Sequence, residues 1–256
     1  MTIIEGLDHV STRVQDADAA FHFFHKTLGM EMAWPPNDYG PLRSAGLRLG
    51  NFNLEVVQVL EEDPDQPWPP QMISVRPVAL AGLTVELDNR GLRFSEPQTV
   101  RGPVPPSGEE GDLWTSIRLH GRFAGACGVQ VMRYHFDPTD TPVQDEPANR
   151  LGIRAVDHVW VGSTDPQSTI EVWQRLLVPV KFNGEFWEFD NGPKLRVTAA
   201  GEDCLMGLVT IVDSVEKAAG ALEELGIHEE SPDLLRTQGI GLAGVRFFLQ
   251  DAPPLP

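Results

Sequence analysis

The chain has 256 residues, 41% of them hydrophobic and 8% aromatic, a globular composition that excludes a disordered tail, a collagen-like repeat or a disulfide scaffold. Its 20 Lys and Arg stand against 37 Asp and Glu, a formal charge of −17 at pH 7. So acidic a surface repels phosphate backbones and anionic lipid, which argues against nucleic-acid and membrane partners.

The opening Met1-Thr2-Ile3-Ile4-Glu5-Gly6 has no basic stretch leading into an apolar run, so no signal peptide is expected. No apolar stretch approaches the roughly 20 residues of a membrane-spanning helix. Two cysteines, Cys127 and Cys204, lie far apart without metal-type spacing and read as reduced thiols. A cytoplasmic protein is expected.

In chain order, Leu7 to Val14 alternates in the period-two manner of a strand, with Val10, Thr12 and Val14 against His9, Ser11 and Arg13. Asp16 stands at an N-cap position, Phe21, Phe24 and Leu28 follow at helical spacing, and Gly29 ends the helix. Extended runs follow at Met30–Trp34, Leu42–Leu49 and Leu54–Leu60, giving a strand-helix-strand-strand-strand unit. The proline-rich stretch Glu61–Pro77 reads as a linker. A second unit is expected from a strand at Leu80–Leu87, mostly loop over Arg90–Asp112, and strands at Leu113–Leu119 and Val129–Phe136.

The motif Leu7-Asp8-His9-Val10 returns as Val156-Asp157-His158-Val159, and the apolar helix positions stay in register, Phe24 matching Trp173 and Leu28 matching Leu177. Asp16 likewise matches Asp165. Leu54-Glu55-Val56 corresponds to Leu195-Arg196-Val197 after a shortening of the intervening hairpins. A fourth unit follows, with a strand at Leu205–Val212, a helix at Asp213–Gly226 opened by an Asp213/Glu216 capping box, and a closing strand at Gly244–Gln250. Four units paired two and two give domains at 1–138 and 152–256, joined by a Pro- and Asp-rich linker at 139–151.

The run from Leu7-Asp8-His9-Val10 through Phe24 to Leu28-Gly29-Met30 resembles the opening module of the vicinal oxygen chelate superfamily, which includes glyoxalases, bleomycin-resistance binding proteins and extradiol dioxygenases. The resemblance implies an α+β fold of four βαβββ modules paired into two glyoxalase-like open-barrel domains. It also implies one divalent metal, held by side chains of the first and last strands of two paired modules, that chelates adjacent substrate oxygens.

Those positions fall on His9 and Glu55 in the first unit, and on Gly82 and Met132, or Gln130 after a slip of two, in the second. In the third and fourth units they fall on His158 and Arg196, and on Gly207 and Phe248, so the second domain is expected to be metal-free. A metal on His9 and Glu55 needs completion by Gln130, His120 or His135, or by His158 if units one and three pair. The Gly128–Met132 and Gly244–Phe248 pairs break the dioxygenase signature in both closing strands.

The first expectation is therefore a protein that encloses a small organic molecule in a barrel cavity, either binding it or acting beside a carbonyl with little help from metal. His9 and Glu55 would be its catalytic or metal-holding pair, and Ser11, Arg13, Trp34 and Tyr39 its substrate-binding residues; Glu55 could instead pair with Arg13. The aromatic wall would come from the phenylalanines and Trp34, Trp114, Trp160, Trp173 and Trp187, with Trp173 placed rather in the core of an outer helix. The alternative is a metal-dependent lyase or isomerase of glyoxalase or epimerase type, and after it an extradiol dioxygenase or a scaffold without ligand. His22 and His25 read as a half-exposed helical pair. The glycine run Gly239–Gly244 leads into a strand, so no nucleotide cofactor is expected.

Overall fold

The computed structural model describes residues 1–64, 67–104, 107–123, 127–136, 149–227 and 231–253. The first half runs β1 (Ile4–Arg13), α1 (Ala17–His22), β2 (Glu31–Tyr39), β3 (Leu42–Arg48), β4 (Asn53–Val59), β5 (Gln71–Pro77), α2 (Leu83–Asn89), β6 (Arg93–Phe94), β7 (Gln98–Val104), β8 (Glu109–His120) and β9 (Cys127–Tyr134). The second runs β10 (Ile153–Ser163), α3 (Pro166–Leu177), β11 (Phe186–Trp187), β12 (Lys194–Ala199), β13 (Cys204–Val212), α4 (Val215–Glu224), α5 (Pro232–Thr237), β14 (Ile240–Leu242) and β15 (Val245–Asp251). Most of the expected 139–151 linker lies outside the described residues.

Each half is one sheet, and both share a central order: β4-β1-β5-β9 in the first and β12-β10-β13-β15 in the second. In each, the outer neighbours pair in parallel and the two middle strands antiparallel. Units one and two thus share one sheet and units three and four the other, so His158 does not join His9 and Glu55. The fold is the expected α+β one, dominated by sheets that do not close into barrels. The modules are unequal, however: β11, which pairs with β12 as β3 pairs with β4, has two residues where β3 has seven.

The caps explain where helices begin. Asp16 accepts from the amide of Ala19, and Asp165 from that of Ser168. Gly29 takes a φ of 74°, which favours glycine, and ends the first helix after a single π-type turn over Phe23–Thr27. Ser214, not Asp213, caps α4, because its hydroxyl reaches the Lys217 amide while Asp213 is turned to Arg154.

The second unit corrects the sequence expectation. Gln71–Pro77, read as linker, is its first strand, and Leu80–Leu87, read as strand, gives way to α2. Leu83 and Leu87 are buried at helical spacing while Val85 between them is exposed. The expected loop over Arg90–Asp112 contains β7, which forms a hairpin with β8.

One continuous core joins the halves: Val10, Phe24 and Leu54 belong to the same buried cluster as Trp173, Leu208 and Phe247. Polar groups at the junction are paired. The Trp173 indole donates to the Phe123 carbonyl at 2.9 Å, and Asn51 both donates to and accepts from the backbone of Val156. The Arg90 guanidinium donates to the carbonyls of Arg175, Leu176 and Val178, which closes the open end of α3. Among the described residues no helix is long and apolar enough to cross a membrane.

Candidate functional site

The four central strands of the first sheet each bring one polar side chain to the same place: Glu55 on β4, His9 on β1, Ser74 on β5 and Gln130 on β9. Register does this directly. Glu55 is the strand partner of Ser11, Ser74 lies opposite His9, and Gln130 is the partner of Ser74. His9 Nε2 lies 2.8 Å from the Ser74 hydroxyl and 3.4 Å from Glu55 Oε2, and the Gln130 amide donates to Ser74 at 2.9 Å. Ser11 and Ser44 donate to the two carboxylate oxygens of Glu55, each at 2.5 Å.

Strict alternation would turn Asp8 away from His9. The register between β1 and β5 shifts between Leu7 and His9, a bulge, and Asp8 lines the same cavity as Glu55. Its carboxylate accepts from His9 Nδ1 at 2.7 Å and from the Tyr134 hydroxyl at 3.4 Å. His9 is therefore held between two carboxylates in the dry centre of the sheet.

Burial alone would depress the His9 pKa. Hydrogen bonds and charges from Asp8 and Glu55 override it and push the value up to about 9, so His9 is a cation at neutral pH. Burial would raise the Glu55 pKa, but His9 and the two serine hydroxyls hold it below the usual carboxylate range. Burial, followed by the charges of Asp8 and Glu55, drives the Tyr134 phenol well above its ordinary range, so it remains a donor.

Glu55 is the member of the pair that reaches open space. Its side chain is 14% exposed against 1% for His9, and it lines a cavity of about 590 Å³. Its wall carries the aromatic side chains of Trp34, Tyr39, Phe52, Trp114, Tyr134 and Phe136, with Met132 beside them and Arg48 and Arg76 also lining it. Trp34 stands edge-on to His9 at 6.1 Å, and Tyr39 edge-on to Trp114 at 4.7 Å. The rim includes Asn191 and Gly192, from the second half.

Most of the site residues expected from sequence do meet. Ser11 lies buried beneath Glu55, and Trp34 and Tyr39 are wall residues. Arg13 does not join them: it sits at the exposed end of β1, pairs with Glu62 at 2.6 Å and donates to the Trp68 carbonyl. Trp187 is buried with its indole on Gln174 of α3, and Trp173 is likewise a core residue. His25 is buried, with Nδ1 2.8 Å from the Met30 carbonyl, rather than half-exposed. Sequence reasoning missed Asp8, Ser44, Ser74 and Tyr134. Ser74 was reachable only by recognising β5, and Asp8 only by knowing the bulge.

The donor set does not fit a divalent metal. The strand position opposite His9 belongs to Ser74, not Gly82, and Gln130 is engaged with that serine. His120 ends β8, and His135 faces Thr115 at 2.8 Å. Among the described residues no three His, Cys, Asp or Glu side chains are placed to share one ion: Asp8 and Glu55 meet opposite nitrogens of His9.

A family model described as Glyoxalase/Bleomycin resistance protein/Dioxygenase superfamily matches residues 6–233. A hypothetical protein from Staphylococcus aureus has a similar fold, with a TM-score of 0.60, 9% identity, and 96% of this chain and 98% of that one covered. The 2,3-dioxygenase LapB from Pseudomonas sp. KL28 gives 0.57 at 14% identity over 100% of this chain and 96% of its own. The Mn(II)-bound glyoxalase from Novosphingobium aromaticivorans gives 0.56 at 14% identity over 88% and 72%. No curated protein matches the chain.

Proposed function

Since the chain belongs to the Glyoxalase/Bleomycin resistance protein/Dioxygenase superfamily, we propose that its first half encloses a small organic molecule and works as a binding site without a metal. The ligand has a flat apolar body and a hydroxyl or N–H group. The observation that carries this reading is Glu55, an ionised carboxylate facing an aromatic cavity from a network in which its partners are already satisfied. Oε2 faces both Ser11 and His9, while Oε1 accepts from Ser44 and has room for a second donor. The aromatic wall supplies affinity by burying the ligand's rings.

Catalysis beside a carbonyl would need Glu55 as a base. The donors that keep it ionised also weaken it, because a carboxylate with a lowered pKa abstracts protons poorly. Binding is thus the stronger reading. It extends to a cytoplasmic location without nucleic-acid or membrane partners, supported by the acidic balance and two free cysteines.

One pair of probes separates the possibilities. 4-Hydroxyacetophenone carries a donor, a carbonyl and exchangeable methyl protons, while its methyl ether lacks the donor. The phenol is expected to bind at least about tenfold more tightly than the ether, the value of a hydrogen bond to a charged group, and Glu55→Gln should erase the difference. In D₂O its methyl signal should persist. Glu55-dependent loss of that signal would establish the catalytic alternative, and equal binding of phenol and ether would overturn the role given to Glu55.

A further inference from the structure

The two sheets match position for position, but with the charge reversed. In the first, His9, Ser11, Glu55, Ser74 and Gln130 form the polar network. The same register in the second sheet gives His158, Trp160, Arg196, Val209 and Phe248, since Trp160 pairs with Arg196, His158 lies opposite Val209, and Val209 pairs with Phe248. An arginine replaces the glutamate, and aromatic or aliphatic groups replace the serines and the glutamine.

Two buried nitrogens on this face lack a hydrogen-bond partner among the described residues: His158 Nε2 and Arg196 Nε. His158 is only 4% exposed, so leaving Nε2 unpaired is costly unless something binds there. Its Nδ1 faces the Asp157 carboxylate at 2.7 Å, which fixes the proton on that side and leaves Nε2 as an acceptor. Burial, with Arg196 and Lys194 nearby, lowers its pKa despite Asp157, so it is neutral where His9 is charged.

The surrounding groups form a cationic and aromatic platform. The Arg196 guanidinium lies over the rings of Trp160 and Phe186 at 5.5 and 5.4 Å, and its Nη2 pairs with Glu185 at 2.7 Å. Lys194 lies over Phe186 at 5.2 Å and pairs with Asp157 at 3.1 Å. Phe248 stands 5.1 Å from Trp160, and Phe186 the same distance from His158. Trp160, Phe186, Lys194 and Arg196 are half-buried, whereas His158 and Phe248 beneath them are buried.

We propose that this face of the second sheet is a separate ligand site for a small planar organic anion bearing a hydroxyl, an aromatic hydroxy acid. The carboxylate meets Arg196, the hydroxyl donates to His158 Nε2, and the ring lies among Trp160, Phe186 and Phe248. The donor and the acceptor left unpaired by the protein are the two that such a molecule satisfies. The site is independent of the ligand read for Glu55.

The test uses 3-hydroxybenzoate on the intact chain, followed by calorimetry and by the Trp160 indole N–H resonance, assigned with Trp160→Phe. Saturable binding that shifts this resonance is expected. The uncharged 3-hydroxybenzamide should bind at least about tenfold more weakly, benzoate several-fold more weakly, and Arg196→Gln should lose at least about tenfold. Glu55→Gln should leave the affinity within about twofold. If Arg196→Gln fails to fold, the acid-against-amide comparison on the unaltered chain decides. An unshifted Trp160 resonance at millimolar ligand overturns the proposal. So does equal affinity for acid and amide, or binding that Glu55→Gln abolishes. Self-association that Arg196→Gln disrupts, with no response to 3-hydroxybenzoate, would assign the face to a second copy of the chain and equally overturn it.

Discussion

Raising the pH from 6.5 to about 9 is expected to destabilise this fold as His9 loses its proton, and Glu55→Gln should shorten that limb. The His9 pKa is about 9 in the folded chain against an ordinary 6.5. Between those values the unfolded chain has released the proton while the folded chain keeps it, so stability falls by about 1.4 kcal/mol per pH unit. The His9 contribution is complete below pH 6.5 and lost as the pH passes about 9, a fall of about 3 kcal/mol in all. Glu55 has the opposite sign: its lowered pKa contributes stability above its ordinary 4.5 that disappears as acid protonates it. Both limbs describe one ion pair and are not added. Glu55→Gln leaves His9 with Asp8 alone, and breaking a buried pair on one side costs about 3 kcal/mol near neutral pH. That cost should shrink toward pH 10, where His9 is neutral in both proteins. Urea unfolding followed by tryptophan fluorescence at half-unit pH steps measures both curves, with His9→Gln as the reference that cannot titrate. Parallel curves for the unaltered chain and Glu55→Gln from pH 6.5 to 10 would refute the charged pair.

Three further outcomes follow from close contacts and burial. A Cβ at Gly46 would stand 2.2 Å from the Trp34 ring, so Gly46→Ala should drive the indole off the cavity wall. It should cost about 1–3 kcal/mol in unfolding measurements and weaken cavity ligands by about tenfold in calorimetry. Gly50 has a φ of +71°, and a Cβ there would meet the Arg154 carbonyl oxygen at 1.9 Å; Gly50→Ala should cost more than about 2 kcal/mol because backbone must move at the junction of the halves. Burial pushes the Cys127 thiol up to about 12. A thiol reagent at pH 8 should therefore spare Cys127 until urea unfolds the chain, while the half-buried Cys204 reacts first.

The parts of this molecule legible in its sequence are those set by local spacing. Asp16 and Asp165 announce their helices because capping acts within three residues, and His9 and Glu55 follow from the returning Asp-His motif and its closing strand. The second unit was misread for a physical reason. Met72-Ile73-Ser74-Val75 is a short apolar run between Pro70 and Pro77, while Leu83, Val85 and Leu87 fit period two as well as an i,i+4 helical face. Only burial separates them, with Val85 exposed in α2. From that exchange followed the error at the site itself, where Ser74 stands in place of Gly82. Arg13 was turned inward by parity, but it lies past the end of β5, whose last partner is Thr12, and its side chain turns out to Glu62 and Trp68. Asp8 depended on a bulge, which is a property of pairing between β1 and β5 and has no signature in either strand alone.

The unequal hairpins bear on both faces at once. In the first half β2 and β3 are long enough to curl over the cavity and bring Trp34 and Tyr39 above Glu55. In the second half the equivalent cover is reduced to the two residues of β11, so Trp160, Phe186 and Arg196 stay half-exposed on an uncovered sheet. The loop that leads from β11 into β12 turns to the other sheet. A Cβ on Gly6 would lie 3.2 Å from the Asn191 carbonyl, and one on Gly192 would lie 3.6 Å from that of Leu7. Asn191 and Gly192 thereby complete the rim of the first cavity. The ends of this short loop are anchored by Phe186 and Trp187 on one side and by Lys194 and Arg196 on the other, the residues that build the cationic platform. A single segment thus bounds both the first cavity and the face that carries Arg196, which is why the first site is not formed from its own sheet alone, while the second is left without the longer hairpin's cover.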